Sequence, residues 1–302
     1  MHMKILNFGS CNIDYVYSLE HIVKVGETQT TSKMEIFPGG KGLNQSIALA
    51  RAGSPVYHAG CIGNDGQMLF EIMNESGVNT DYVKRVDATN GHAIIQVSSC
   101  GENSIFLYPG SNNMITREYV DDVLKDFTKD DILLLQNEIN EIEYIVDKAY
   151  DKGIKIVLNP SPFNDIISRL DLCKITYLIL NEVEAYEYSG YEDSEKSLEY
   201  FSERYPLLKV MLTLGSKGCV FMESGRKTYH SIFDVNAVDT TAAGDTFTGY
   251  FIEGISNGNS IEDILRTASA ASAITVSAMG AAVSIPSKET VLTKLPQMKE
   301  KY

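Results

Sequence analysis

Short apolar runs of strand length recur along most of this chain, and helical periodicity follows several of them. The runs are residues 4–9, 55–60, 132–136, 154–158, 177–180 and 210–214. In the helical stretches Leu43, Ile47 and Ala50 share one face, as do Ile142, Ile145, Val146 and Ala149. A strand that is apolar on both faces has to be covered on both, and a helix with one apolar stripe supplies such a cover. The alternation therefore predicts an α/β fold, with a mostly parallel central sheet and helices on its two faces.

Two regions depart from the alternation. Residues 14–20 with 28–37, and 92–99 with 104–108, are rich in Thr, Val, Ile and Tyr and have no helix between them. They predict strand pairs forming a small antiparallel sheet that projects from the main body, with Gly101-Glu102-Asn103 as one hairpin tip. No repeat, low-complexity linker or domain boundary is visible, so residues 1–302 are expected to form a single domain. The uncharged stretch 267–287 is rich in Ala, Ser and Thr and contains Gly280 and Pro286. Small residues suit close packing, and the stretch predicts an interior helix and a turn, not a membrane span.

The net charge is 26 − 40 = −14 over 302 residues. Such an acidic balance argues against coating nucleic acid or an anionic membrane, and leaves room for a local basic pocket. The five cysteines are scattered, with no C-x-x-C pair. They read as reduced cytosolic thiols, which implies a cytoplasmic protein without a disulfide frame or zinc site. The first residues lack a charged-then-apolar leader pattern.

Five segments carry candidate chemistry. In Val238-Asp239-Thr240-Thr241-Ala242-Ala243-Gly244-Asp245, small residues lead into a helix with apolar positions at Phe247, Tyr250 and Phe251. Backbone N–H groups at a helix N-terminus attract an anion, and Asp245 in the first turn could take a proton from an attacking hydroxyl. It could equally cap the helix. Pro38-Gly39-Gly40-Lys41-Gly42-Leu43-Asn44 also opens a helix, with Lys41 and Asn44 at its mouth, and matches neither a Walker A loop nor a dinucleotide fingerprint. Asn12 and Asp14 alternate after the first strand and could read vicinal hydroxyls together. Asn181 and Glu184 lie three apart, either as a helix start or as oxygen ligands suited to Mg²⁺ through water. Residues 212–218, Leu-Thr-Leu-Gly-Ser-Lys-Gly, form a strand and a glycine turn that is either a phosphate cradle or a plain hairpin.

Taken in order, N-x-D, GGKG-x-N, N-x-x-E, T-L-G-S-K-G and D-T-T-A-A-G-D resemble the PfkB-type carbohydrate kinases, and ribokinases among them, over residues 4–286. The resemblance implies a ribokinase-like three-layer fold with a β-sheet lid near residues 14–37 and 92–108, and a homodimer through that lid. It implies ATP-dependent phosphorylation of a primary hydroxyl, with ribose the expected acceptor. Fructose or another hexose, deoxyribose, a nucleoside, or a non-catalytic sugar-responsive role are the alternatives. Asn12, Asp14, Gly40, Lys41, Asn44 and Glu138 would then hold the sugar. Asp245 would be the base, with the N–H groups of Ala242, Ala243 and Gly244 as the anion hole. Thr213, Gly215, Ser216, Gly218, Gly244 and Ser269 would line the nucleotide site, and Asn181 and Glu184 would serve phosphate and Mg²⁺. A monovalent-cation site for K⁺ would involve Asp239, Thr241, Thr275, Ala278, Gly280 and Ser284. Two departures stand out: Ser269 where Asn or His is expected near adenine, and Leu43 in place of a small residue.

Overall fold

The computed structural model describes residues 3–301. In chain order the strands are β1 (Ile5–Phe8), β2 (Asn12–Leu19), β3 (Lys33–Gly39), β4 (Val56–Ile62), β5 (Asn79–Arg85), β6 (Gly91–Ser98), β7 (Asn103–Tyr108), β8 (Ile132–Gln136), β9 (Lys155–Asn159), β10 (Tyr177–Asn181), β11 (Lys209–Thr213), β12 (Cys219–Glu223) and β13 (Arg226–His230). The helices are α1 (Lys41–Ala52), α2 (Gln67–Glu75), α3 (Arg117–Leu124), α4 (Ile142–Asp151), α5 (Asp165–Ser168), α6 (Glu182–Ser189), α7 (Ser194–Arg204), α8 (Ala243–Asn257), α9 (Ile261–Val276) and α10 (Lys288–Lys294).

Nine strands form the main sheet in the order β13-β12-β11-β10-β9-β8-β1-β4-β5. Pairing is parallel from β5 to β11, and the β12–β13 edge is antiparallel. Successive side chains of a strand face opposite sides, and the core divides accordingly. Ile132 and Leu134 of β8 pack with α1, α8 and α9, whereas Leu133 and Leu135 pack with α3, α4 and α7. This accounts for the run of apolar residues without alternation. All six expected strands form, with ends shifted by a residue or two.

The second sheet has the order β3-β2-β6-β7. Both expected strand pairs are present and antiparallel, but β2 and β6 join them in parallel register, Asn12 opposite Gly91 through Leu19 opposite Ser98. The small sheet is therefore mixed, not antiparallel. Each pair was legible from its own residues, but the junction depends on strands more than seventy positions apart.

The uncharged stretch 267–287 is the end of α9 plus a turn-rich loop, with Ala268, Ala270, Ala271 and Ala273 buried. Among the described residues no helix is long and apolar enough to cross a membrane. Leu43 is fully buried in the core, so its bulk serves packing of α1 against the sheet. The crossing of α1 and α8 is close: a Cβ on Gly249 would come within 2.4 Å of Ala48 Cβ. One helical turn before that contact lie Asn44 on α1 and Asp245 on α8.

Candidate active site

The candidate residues gather where the parallel strands end, the usual place for ligands in an open α/β sheet. The loop after β1 meets the first turn of α1 there. Ser10 Oγ donates to Glu138 Oε2 at 2.5 Å, and the Lys41 backbone N–H donates to the same oxygen at 2.9 Å. The Leu43 N–H donates to the Ser10 carbonyl at 2.8 Å. Glu138 thus satisfies a donor that the start of a helix leaves unpaired, and it fixes α1 against β1. Burial pushes the Glu138 carboxyl up, opposed by the adjacent Lys41 charge.

Asn12 and Asp14 lie on the small sheet. Asn12 is buried and its Oδ1 accepts from Asn112 Nδ2 at 2.7 Å. The Asp14 carboxylate lies over Gly39, where any Cβ would come within 2.0 Å of Oδ2. That contact requires glycine at position 39. Burial, reinforced by the Glu138 and Asp245 charges, raises the Asp14 carboxyl to about 7. Burial alone would depress the Lys41 ammonium, but the Asp245, Glu138 and Glu184 carboxylates outweigh it and hold Lys41 above its ordinary value. Lys41 is the cation of an otherwise acidic cluster.

Asp245 is 6% exposed in the first turn of α8. Its Oδ2 accepts from Asn44 Nδ2 at 3.1 Å and its Oδ1 from Gln45 Nε2 at 2.8 Å. It does not cap its own helix: Ala242 occupies the N-cap with no side-chain bond, in a left-handed conformation with φ of 60°. A non-glycine residue held there is strained by roughly 1–2 kcal/mol. Of the three N–H groups expected to form an anion hole, that of Ala243 closes a turn on the Thr240 carbonyl at 3.3 Å. The first turn of α8 still presents Gly244 and Asp245 N–H groups outside the helical ladder. Asn44 Oδ1 is buried without a partner, an acceptor matched to a ligand hydroxyl.

Beyond Asp245 opens a cavity of about 480 Å³. Thr213, Gly215, Ser216, Gly218, Ala243, Gly244 and Ser269 all line it. The turn at 215–217 is a hairpin turn between antiparallel β11 and β12, and Gly215 and Ser216 lie on the cavity wall. Sequence reasoning missed Phe233, Asp234, Val235 and Ser272, which lie on the same wall among other lining residues such as Ile232, Phe247 and Lys301. Ser272 was reachable, since it follows Ser269 by three positions on one helix face; the 233–235 segment carries no motif. Asn181 and Glu184 do not line this cavity. They form a capping box at the start of α6 and line a neighbouring recess of about 440 Å³ with Phe163, Asn164 and Asp165.

Oxygen donors at Asn181 and Glu184 suit Mg²⁺ held through water, and Glu184 is close enough to add to the field on Lys41. For the monovalent cation the fit is narrower. Asp239 accepts from the Thr241 N–H and hydroxyl at 2.9 and 2.6 Å and from the Gly280 N–H at 2.9 Å. The Thr275 hydroxyl meets Thr246 Oγ1 and the Ala271 carbonyl, and that of Ser284 donates to the Ala281 carbonyl. The Ala278 N–H donates to the Thr275 carbonyl at 3.2 Å. These polar side chains organise the two loops, which leaves backbone carbonyls as the donors for an ion. Among the described residues no group of three or more His, Cys, Asp and Glu is placed to hold a metal.

The model of the pfkB family of carbohydrate kinases matches residues 3–288. The ribokinase of Haemophilus influenzae is 35% identical over 294 residues, covering 94% of this chain and 95% of that protein. The deoxyribokinase of Salmonella typhi is 29% identical, covering 95% and 97%. Among solved structures, Arabidopsis thaliana ribokinase complexed with ribose and ATP superposes with a TM-score of 0.87 at 31% identity, covering 98% of this chain and 99% of that one.

Proposed function

The chain belongs to the pfkB family of carbohydrate kinases, and from that premise we propose that it transfers the γ-phosphoryl group of ATP to the 5-hydroxyl of D-ribose. The observation that carries this reading is the position of Asp245. A buried carboxylate, gripped by two amides of α1, stands between a polar recess bearing Asn44, Asp14 and Lys41 and the cavity that suits ATP.

Asn12 and Asp14 read the sugar hydroxyls, while Gly40, Lys41, Asn44 and Glu138 complete the recess. Asp245 draws the proton as the acceptor oxygen attacks the γ-phosphorus and the bond to the β,γ-bridging oxygen breaks; the proton ends on its carboxylate and ADP leaves. Phosphoryl transfer is mostly positioning and charge stabilisation. The first-turn N–H groups of α8 and the Lys41 ammonium supply the latter on the protein side. Mg²⁺ near Asn181 and Glu184 supplies neutralisation of phosphate charge when bound, and K⁺ on the 239–241 and 275–284 loops would fix the anion-hole backbone. The small sheet serves as a lid. Its β7 leaves Ile105, Phe106, Leu107 and Tyr108 about half exposed, and Ile36 on β3 adds to them. Apolar sheet surface of this kind supports a homodimer through the lid.

The test is an ADP-release assay over pentoses, hexoses and nucleosides, with and without K⁺. Ribose as the fastest acceptor supports the reading. Preference for deoxyribose, fructose or a nucleoside overturns the acceptor assignment, and absence of ADP with every acceptor returns the non-catalytic alternative.

A further inference from the structure

A seam of buried amides runs beneath Asp245, and its hydrogen bonds have a direction. Asn7, Gln45 and Gln136 are at most 1% exposed, and Asn159 is 9% exposed. Asn7 Nδ2 donates to the Gly42 backbone carbonyl at 2.7 Å. A carbonyl only accepts, so Asn7 must turn its oxygen the other way, where it receives Gln136 Nε2 at 2.9 Å. The same nitrogen donates to Gln45 Oε1 at 2.7 Å. Gln45 is thereby obliged to present Nε2 to Asp245. A second anchor gives the same answer. Asn159 Nδ2 donates to the Ile179 carbonyl at 2.9 Å, which leaves Asn159 Oδ1 to accept from Gln45 Nε2 at 3.0 Å.

Two backbone carbonyls on opposite sides of the seam thus fix the orientation of one side-chain amide. We infer that Gln45 is a positioning residue for phosphoryl transfer: it holds Asp245 as a hydrogen-bond acceptor through Oδ1 and so aims Oδ2 at the acceptor hydroxyl. As a device for stability the seam is poor. It leaves Gln136 Oε1 buried without a partner, a penalty that apolar side chains of the same volume would not carry. Its directionality is what an apolar seam would lack. The other charged groups facing Asp245 are Lys41 from α1, Asp14 from β2 and Glu138 beyond β8. They stay in place when Gln45 is replaced, so a loss of transfer with acceptor affinity unchanged is attributable to the amide.

The inference rests on the proposed kinase reaction, and the experiment separates the two. Single-turnover phosphoryl transfer is measured with the panel acceptor that the wild type uses best, and acceptor affinity is measured by calorimetry. Wild-type protein without turnover on any acceptor overturns the kinase reading. With an active wild type, Gln45→Met, which keeps the volume, is expected to slow transfer roughly 10–100-fold. Acceptor affinity should stay within about threefold. Gln136→Met, which removes one of the two anchors on Gln45, should slow transfer by less with affinity again held, and it carries the test should Gln45→Met fail to fold. Transfer within about threefold of the wild type, or a loss confined to acceptor affinity, overturns the assignment.

Discussion

The two ends of the candidate site are built from different materials. At the acceptor end, side chains make the chemistry: Asp245, Asn44, Gln45 and Glu138 are tied to one another, to Ser10 or to backbone by hydrogen bonds, and the Asp14 carboxylate lies over Gly39. At the nucleotide end, turns and small residues, Gly215, Gly218, Ala243 and Gly244, stand beside apolar side chains such as Phe233 and Phe247 around an open cavity. The first end can discriminate, because a wrong hydroxyl pattern leaves buried polar groups unpaired. The second offers surface and backbone amides, which suit a ligand whose polyphosphate supplies the charge.

The sharpest way to test that contrast is at Asp245. Asp245→Asn should keep acceptor binding and lose about 10²–10⁴ in turnover, read as kcat beside calorimetric affinity; near-normal kcat would remove the base. Next comes the helix crossing that holds Asn44 and Gln45 on Asp245. Gly249→Ala forces a Cβ against Ala48 and should cost about 1–3 kcal/mol in thermal or denaturant unfolding, with kcat falling in step. An unchanged Tm would mean that the helices separate freely.

The acceptor end should also respond to pH. The native Asp14 carboxyl titrates near 7. A sugar hydroxyl that donates to it binds the ionised form, so affinity should rise about tenfold between about pH 6 and pH 8, and Asp14→Asn should flatten the profile. Stability without ligand runs the other way. The native side chain keeps a proton that the unfolded chain sheds above about pH 4, so its contribution is full below that value and is lost as pH rises through 7. The smallest effect belongs to the nucleotide end, where Ser269→Ala should alter the KM for ATP less than about threefold. A tenfold change would mean that side chains read the base after all.

The same division explains what the sequence disclosed. Strands that are apolar on both faces declared the main sheet, and D-T-T-A-A-G-D and GGKG-x-N declared the residues around Asp245, because side-chain chemistry leaves its mark in residue identity. Phe233 to Val235 were missed because a wall made of passing backbone has no preferred spelling. Gln45 lay beside a motif residue, yet its proposed role depends on Asn7, Gln136 and Asn159, which only the fold links to it in a chain of hydrogen bonds of 2.7 to 3.0 Å. The parallel junction of β2 and β6 was hidden for a like reason: each strand fits either neighbour, and register is settled by the loops that close behind them.

Only Gly9, Ser10 and Cys11 separate β1, between β8 and β4 in the main sheet, from β2 in the small one. The residues proposed to greet the sugar, Asn12 and Asp14, therefore ride on the cover itself and not on the floor beneath it. If the proposed reading holds, a sugar that satisfies them would draw the roof down by its own grip, and choosing a guest and shutting the door would be a single act of the same arm.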